Sequence, residues 1–378
     1  MLLYISGSYP NNQEGIASGA KVLLDAMTEI VGVRDIILLT TDIPIISDTI
    51  KENSKVEYRQ LKNWRVTSKN IKTIYNILGE YPITAIHMEY PGDLYGKTFL
   101  ATWLPFLVKR YNRKNKRNIT FNVRLHEFTR ARFLRKLAII PILWFANTIY
   151  VPALHDRKVT SIFGGNKVKA TIIGTNIKVV EDEVISGKEI VISYFGSVYP
   201  GKGIERMLQI WKQLRERNKE CSFSFKIIGD VGIGDDNHFA DYHKQVWKWI
   251  EQYGLKDNIV VTGYISDEEV SKELSRTSIA TLPYEDGLTL RRGSFLAYLT
   301  HGIPIVTTEG DEEAHDLFDN HKGIVMASSD EEMILAVESF VSMKDEEKVE
   351  VRQDNFGLAK KFDWTKIARD FLIDYKMI

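Results

Sequence analysis

Two stretches of the chain combine cations, glycines and helix-starting signals in a pattern that could hold an anion. The first, FGSVYPGKG from Phe195 to Gly203, leaves a strand-like run, turns through Gly, Pro and Gly, and enters a helix at about Gly203. Backbone N–H groups and the helix dipole point outward at such a turn, so Lys202 at its mouth is placed to meet a negative group. A solvated turn lysine is the plainer alternative. The second, LPYEDGLTLRRGSFLAYLTHGIPIV from Leu282 to Val306, passes from a strand through Glu285, Asp286 and Gly287 to Arg291, Arg292 and Ser294, where apolar residues at helical spacing begin. Cations at a helix N-terminus oppose the helix dipole, which makes sense if an anion sits between them. A surface pair with Glu285 and Asp286 would also account for them.

The first half carries fainter signals. Gly7 to Gly19 (GSYPNNQEGIASG) follows a strand-like start, and glycines such as Gly15 let backbone approach a ligand closely, although the run is not G-x-G-x-x-G. His126 and Glu127 follow a strand-like run ending at Val123, which puts a titratable pair on the loop edge of a sheet. A single histidine is more often structural than catalytic. The patterns G-x-x-x-x-G-K-[ST], H-E-x-x-H, G-x-S-x-G and Asp-x-Asp between apolar flanks are missing, which removes P-loop, zincin, α/β-hydrolase and metal-dependent sugar-nucleotide readings. In Gly229-Asp-Val-Gly-Ile-Gly the glycines stand at the wrong offsets for a dinucleotide fingerprint.

These residues need strands to end beside them and helices to start from them. Short apolar runs alternate with stretches of helical period, the grammar of an α/β domain on parallel strands. Strands are expected at Leu2 to Ser6, Ile36 to Thr40, Ala85 to Met88, Thr120 to Val123, Thr148 to Val151 and Thr171 to Ile173 in the first half. In the second they are expected at Ile190 to Phe195, Phe223 to Ile228, Ile259 to Thr262, Ile279 to Pro283 and Ile303 to Thr307. Helices fill the gaps near 203 to 217, 238 to 253, 267 to 276 and 292 to 301, and Val22, Leu23, Ala26, Met27 and Ile30 make a helical face in the first half. The acidic, aperiodic run from Lys178 to Lys188 divides a domain at 1–180 from one at 185–360. A last helix at about 361–378 carries Phe362, Trp364, Ile367, Ala368, Phe371 and Tyr375 as an apolar stripe that needs a groove, on its own domain or bridging to the other. Ligands of open α/β sheets sit beyond the carboxyl ends of strands, so two such sheets with facing loop edges would make a cleft.

Composition agrees with two folded domains. The 378 residues include 50 Lys+Arg and 50 Asp+Glu, but residues 1–180 hold 26 basic and 13 acidic side chains, so the halves carry +13 and −13. Single cores tend to stop growing near ~250 to 300 residues, which favours a division. Cys221 is the one cysteine, so no internal disulfide or multi-cysteine metal site is possible, as in a reducing compartment. The start MLLYIS reads as a strand rather than a secretory leader, and the longest apolar run, Leu137 to Ala146, has ten residues and a proline, short of the ~20 that span a bilayer.

Taken in order, the motifs resemble glycosyltransferase family 4, retaining enzymes of the GT-B fold. The resemblance rests on FGSVYPGKGIERML, FKIIGD, VVTGYISDEEVSKELSRTSIATLPY, DGLTLRRGSFLAYLTHGIPIVTT and FDWTKIARDF, spanning most of residues 190–375. The first half matches in layout, with Gly15 in the place of the family's glycine loop and His126 where many members have a cleft histidine. The fold implied is α/β, two Rossmann-like domains facing across a deep cleft, with the C-terminal helix crossing back to the first. The resemblance also implies Lys202 on the diphosphate of a nucleotide-sugar donor, backbone at Gly263, Tyr264 and Ile265 against the base, and the Gly287, Leu288 and Thr289 amides capping phosphates. Asp286 takes the place of the first of the family's paired glutamates, while Ser294 stands eight residues on in place of the second. Arg292 would bind phosphate where the family's usual arginine, in the turn after Phe195, is here Ser197. His126, Lys202 and Arg292 are thus the catalytic candidates, Gly15 a further donor-side residue, and His126 with Glu127 the acceptor-side pair. No metal and no other cofactor is implied.

A leaving diphosphate gathers negative charge, so fixed cations and oriented N–H dipoles suit it better than a protein nucleophile. With no carboxylates clearly paired, double displacement is poorly supported, and same-face substitution is what the resemblance implies. Between Lys109 and Lys136 stand eleven basic residues and one acid, Glu127, interleaved with Trp103, Leu104, Phe106, Leu107, Phe133, Leu134, Leu137, Ile139 and Ile140. Basic clusters beside apolar faces suit an anionic membrane surface, and no nucleic-acid reader module accompanies the charge. The expectation is a cytoplasmic enzyme, peripheral at the inner membrane face, moving a sugar from a UDP- or GDP-sugar to a lipid-linked or saccharide acceptor. A GT-B-like sugar-nucleotide epimerase and a non-catalytic GT-B scaffold are the alternatives.

Overall fold

The structure is a computed structural model, and it describes residues 1–7, 15–41, 56–91, 95–96, 98–126, 128, 131–180, 189–231 and 239–378. Glu127, most of the Gly7 to Gly19 loop and residues 181–188 lie outside the described residues. The chain divides into two compact units, Met1–Gly174 with Asp363–Ile378, and Thr175–Phe362.

The first unit is built on seven strands, β1 (Leu2–Ser6), β2 (Ile36–Thr40), β3 (Glu57–Gln60), β4 (Ala85–Tyr90), β5 (Thr120–Leu125), β6 (Thr148–Val151) and β7 (Val168–Ala170). They lie in the order β3-β2-β1-β4-β5-β6-β7, all parallel, with Leu2 level with both Ile36 and Ala85. β1, β2 and β4 are buried along their whole length, which is why β1 and β2 read as continuous rather than alternating apolar runs. Helices α1 (Gly15–Val31), α2 (Ser68–Glu80), α3 (Leu100–Asn115), α4 (Phe133–Phe145) and α5 (Leu154–Gly164) connect them.

One strand here was not expected and another is displaced. β3, sequence EYRQ, escapes the apolar pattern because it is a half-exposed edge strand. β7 falls three residues before the expected Thr171 to Ile173, since Val168 fills the core beside Ile149, and Ile172 is partly buried against a separate cluster.

The second unit repeats the plan with β8 (Ile190–Phe195), β9 (Phe223–Ile228), β10 (Ile259–Val261), β11 (Ile279–Leu282), β12 (Ile305–Thr308) and β13 (Ile324–Ala327). Their order is β10-β9-β8-β11-β12-β13, again parallel. The edge strand β13 was not anticipated by the apolar pattern. The helices are α6 (Ile204–Arg217), α7 (Ala240–Gln252), α8 (Asp267–Ser275), α9 (Gly293–Thr300), α10 (Glu312–Phe318), α11 (Asp330–Ser342) and α12 (Asp345–Ala359). Side chains of Ser266, Asp311 and Ser329 cap α8, α10 and α11, supplying acceptors to amides that have no partner inside the helix.

Both sheets reverse direction of winding at one place, between β1 and β4 and between β8 and β11. Crossover helices leave such a point on opposite faces, so the loops there part and leave room for a ligand.

The last helix, α13 (Trp364–Asp374), returns to the first unit. Trp364, Ile367, Ala368, Phe371, Leu372 and Tyr375 are buried in one cluster with Leu2, Tyr4, Leu23, Met27 and Tyr150. Tyr150 donates its hydroxyl to Asp374 (2.7 Å) and meets the Phe371 ring edge-on at 4.6 Å. Phe362 is not part of this stripe: it sits in a turn before the helix, its ring near Phe318 of the second unit (6.2 Å between centroids).

Candidate functional site

The turn after β8 is shaped by what its glycines must avoid. A Cβ on Gly203 would lie 1.8 Å from the Pro283 carbonyl oxygen, and one on Gly229 2.3 Å from the Gly196 oxygen. The loops following β8, β9 and β11 therefore close on one another through bare backbone at the switch point. Gly203, with φ 71°, opens α6 without a side-chain cap of its own to spend on the first-turn amides. The run Gly196 to Lys202 shares the outline of a phosphate loop, yet the hydroxyl residue such a loop carries next has no room at Gly203. His243 of α7, itself buried, is hydrogen-bonded to the Val198 carbonyl at 2.8 Å and holds the turn from behind.

Lys202 sits on this turn with its ammonium 4.8 Å from the Tyr199 ring centroid, and Tyr199 stacks on Phe239 at 5.5 Å. Ser197 is exposed beside it. On the neighbouring turn, Arg292 is the residue before the first of α9 and is 13% exposed. Its guanidinium pairs with Asp286, donates to the Gly287 carbonyl at 3.1 Å and lies 4.2 Å over the Tyr284 ring. Its Nε is buried without a hydrogen-bond partner among the described residues. The arginine is thus already paired with a carboxylate, the simpler of the two arrangements open from sequence.

Several of the expected donor-side groups already have partners. The Gly287 amide donates to Tyr284 O (3.2 Å) and the Leu288 amide to Glu309 O (2.9 Å), so these two are taken by protein carbonyls. Ser294 shares a 2.7 Å hydrogen bond with the Tyr284 hydroxyl, whose pKa burial pushes up to about 12. Thr289 is half-buried beside them. Across the sheet, Gly263 has φ 71° with open space where a Cβ would be, Tyr264 is exposed and Ile265 half-buried. Ser197, Lys202, Asp286, Gly287, Leu288, Thr289, Arg292, Ser294 and the 263–265 turn therefore all lie in the second unit, beyond the carboxyl ends of its strands. Gly15, which starts α1, and His126 belong to the first unit.

His126 follows β5 and is 12% exposed, with Nε2 2.6 Å from Glu89 Oε2. Glu89, on β4 and 1% exposed, also faces His87 Nε2 (3.0 Å), Arg124 Nη1 (3.4 Å) and the Tyr4 hydroxyl (3.2 Å). Burial opposes its ionisation, but the Arg124 charge and the bonds from His126 and His87 outweigh that and hold the carboxyl well below its usual range. Burial lowers the His87 pKa, keeping that ring neutral. The pattern reading missed Glu89 and Arg124, although each is a charged residue inside a strand with both faces covered, which is a readable signal. Among the described residues no group of three or more His, Cys, Asp or Glu is placed to hold a metal ion.

Residues 189–342 match the family model described as glycosyl transferases group 1. The fold is shared with a glycosyltransferase from Rickettsia africae (TM-score 0.74, 13% identity, covering 100% of this chain and 97% of that one). It is also shared with Anabaena HepE in complex with UDP (0.73, 12%, 100% of both chains) and sucrose-phosphate synthase from Thermosynechococcus elongatus (0.71, 14%, 100% and 98%). No curated protein sequence matches at a significant level. Residues 189–342 are thus similar to the glycosyl transferases of group 1, and GT-B is the fold of the chain.

Proposed function

We propose that the chain is a retaining glycosyltransferase that takes a sugar from a nucleoside-diphosphate donor held by the second unit. The observation that carries this reading is the turn pair at the β8/β11 switch point. There Lys202 and a helix start at Gly203 with no side-chain cap stand within an otherwise acidic unit, beside Arg292, whose buried Nε has no hydrogen-bond partner among the described residues. A unit of net negative charge attracts a diphosphate through placed groups, not through its overall field. Lys202 and the first amides of α6 meet the phosphates, and Arg292 exchanges Asp286 for a phosphate oxygen. These cations stabilise the leaving diphosphate, and the departing oxygen takes the acceptor's proton on the same face of the sugar. Anabaena HepE was solved with UDP, which makes a uridine nucleotide the first to test.

The acceptor is a lipid-linked or saccharide hydroxyl met by the first unit, at an anionic membrane surface. Phe133, Leu134, Leu137 and Trp144 of α4 are exposed, two of them by 74% and 78%, next to the basic run. Among the described residues no helix is long and apolar enough to cross a membrane. Thermal shift against UDP, GDP, ADP and their sugars tests the donor reading. A nucleotide at 100 times its Kd adds about 2.7 kcal/mol, so no shift with any of them would refute it. Release of an altered sugar nucleotide without an acceptor product would mark an epimerase instead.

A further inference from the structure

We propose that Glu89 is a positioning residue for His126, fixing which ring nitrogen carries the proton and leaving Nδ1 as a hydrogen-bond acceptor for a substrate hydroxyl. The proposal deepens the transferase reading and rests on it for the identity of that hydroxyl, sugar or acceptor. The ring arrangement itself stands on geometry alone.

Protons can be assigned one by one. Glu89 is a carboxylate and only accepts, so His126 Nε2, 2.6 Å away, must carry a hydrogen. His87 is neutral and also faces Glu89 through Nε2 at 3.0 Å, so its hydrogen is there, and its Nδ1 accepts the Tyr375 hydroxyl at 2.6 Å. Both rings and Arg124 therefore donate to the Glu89 carboxylate, while the Tyr4 hydroxyl is shared between it (3.2 Å) and the Ala20 carbonyl (2.9 Å), and among the described residues the ring nitrogen of this network without a hydrogen-bond partner is His126 Nδ1. Arg124, 2% exposed, supplies the balancing charge, its guanidinium 5.3 Å from the Trp364 ring centroid and 6.0 Å from that of Phe371. The last helix thus backs the network through Arg124 and Tyr375.

Such a network is a poor way to stabilise a core. A buried ion pair is commonly no better than apolar residues of the same volume, and Arg124 leaves Nε and Nη2 without hydrogen-bond partners among the described residues. Its product is a histidine of fixed tautomer at the carboxyl end of β5, next to β4, which borders the switch point where a ligand has room. In the neutral ring, with Nε2–H pinned, Nδ1 offers a lone pair, which suits a sugar or acceptor O–H and not a phosphate oxygen.

The test is long-range proton–nitrogen NMR on 15N-histidine-labelled full chain, with steady-state transfer kinetics on wild type and Glu89→Gln. Wild type should show His126 as the Nε2–H tautomer; an Nδ1–H ring would overturn the proposal whether or not any variant folds. In Glu89→Gln the amide can turn its NH2 toward the ring, so the tautomer should change. The turnover number should fall roughly 10- to 100-fold, as for misplacement of a reacting group by about 1 Å, while the nucleotide Kd stays within about twofold. A variant that melts earlier but keeps both tautomer and turnover would show Glu89 to be structural only. If the tautomer depends on Glu89 yet wild type transfers no sugar from any nucleotide, the transferase reading fails and the positioning stands.

Discussion

Gly203 and Pro283 meet so closely that the carbonyl oxygen of one occupies the space of a side chain on the other. A Cβ at Gly203 would lie 1.8 Å from Pro283 O, and the backbone there has φ 71°. Gly203→Ala must therefore push apart the turns after β8 and β11. Left-handed backbone costs an L-residue about 1–2 kcal/mol, and overpacking about 1–3 kcal/mol more. We expect a loss of about 2–5 kcal/mol in urea unfolding together with loss of nucleotide binding. An unchanged midpoint would mean that the two turns are not locked together.

Lys202→Ala and Arg292→Ala should weaken nucleotide binding by different routes. Hydrogen bonds to charged groups are worth about 1.5–3 kcal/mol, so each change should raise the Kd for UDP or its counterpart roughly 10- to 100-fold by calorimetry. Lys202, with only a ring contact to lose among the described residues, should leave the melting point nearly unchanged. Arg292 also holds Asp286 and the Gly287 carbonyl, so its loss should lower the melting point as well. Earlier melting with unchanged affinity in Arg292→Ala would reduce the arginine to a partner of Asp286.

Acid should destabilise the first unit in two steps. Glu89, with an ordinary value of 4.5, titrates well below it when folded. Its contribution is complete above about pH 4.5 and is lost as the pH falls toward the folded value. Burial holds His87 below its ordinary 6.5, so beneath that pH the unfolded chain takes up a proton that the fold refuses, and stability falls again with falling pH. His301, buried in the second unit, has the same sign, while the half-exposed His315, raised by Asp319, has the opposite and is screened. Calorimetric melting should fall from pH 6.5 downward and more steeply below 4.5, the second step shallower in Glu89→Gln. A flat profile down to pH 4 would contradict the assigned charges.

The sheets were readable because parallel strands buried on both faces write themselves as apolar runs: LLYIS, IILLT and IVISYF each announce a strand. Strands whose sides are not both covered do not. EYRQ at the edge carries no such signal, and a hydrogen-bond ladder, not hydropathy, makes it a strand. At the candidate donor site, glycine and cation spacing located the turns, since close approach of backbone leaves glycine at fixed places. What spacing could not tell is whether a donor is already spent. The Gly287 and Leu288 amides bond to carbonyls of Tyr284 and Glu309, the latter far along the chain. Glu89 and Arg124 were legible in principle, as charges within AIHMEY and TFNVRL, but their meaning depends on β4 and β5 lying side by side.

Membrane attachment should depend on α4 more than on charge alone. Burying a Phe or Leu side chain gains about 1.5–3 kcal/mol, and each Lys or Arg near an anionic surface about 1 kcal/mol. Phe133→Ser with Leu134→Ser should therefore reduce partition onto vesicles of mixed anionic and zwitterionic lipid by more than tenfold in sedimentation. High salt should reduce it further. Equal binding of the double variant and wild type would place the contact elsewhere.

Phe371→Ala probes how far the last helix supports the first unit. The ring meets Tyr150 edge-on at 4.6 Å, lies 5.3 Å from His87 and takes the Arg124 guanidinium on its face, so the cavity would open beside a buried charge network. Removing a buried Phe costs about 3–5 kcal/mol, and here the loss should be local to the unit that α13 joins. Hydrogen exchange should therefore quicken in β1, β4 and β5 while β8, β9 and β11 keep their protection. Equal loss in both sheets would mean that the two units unfold as one, and equal protection in both would mean that α13 rests on the first unit without holding it.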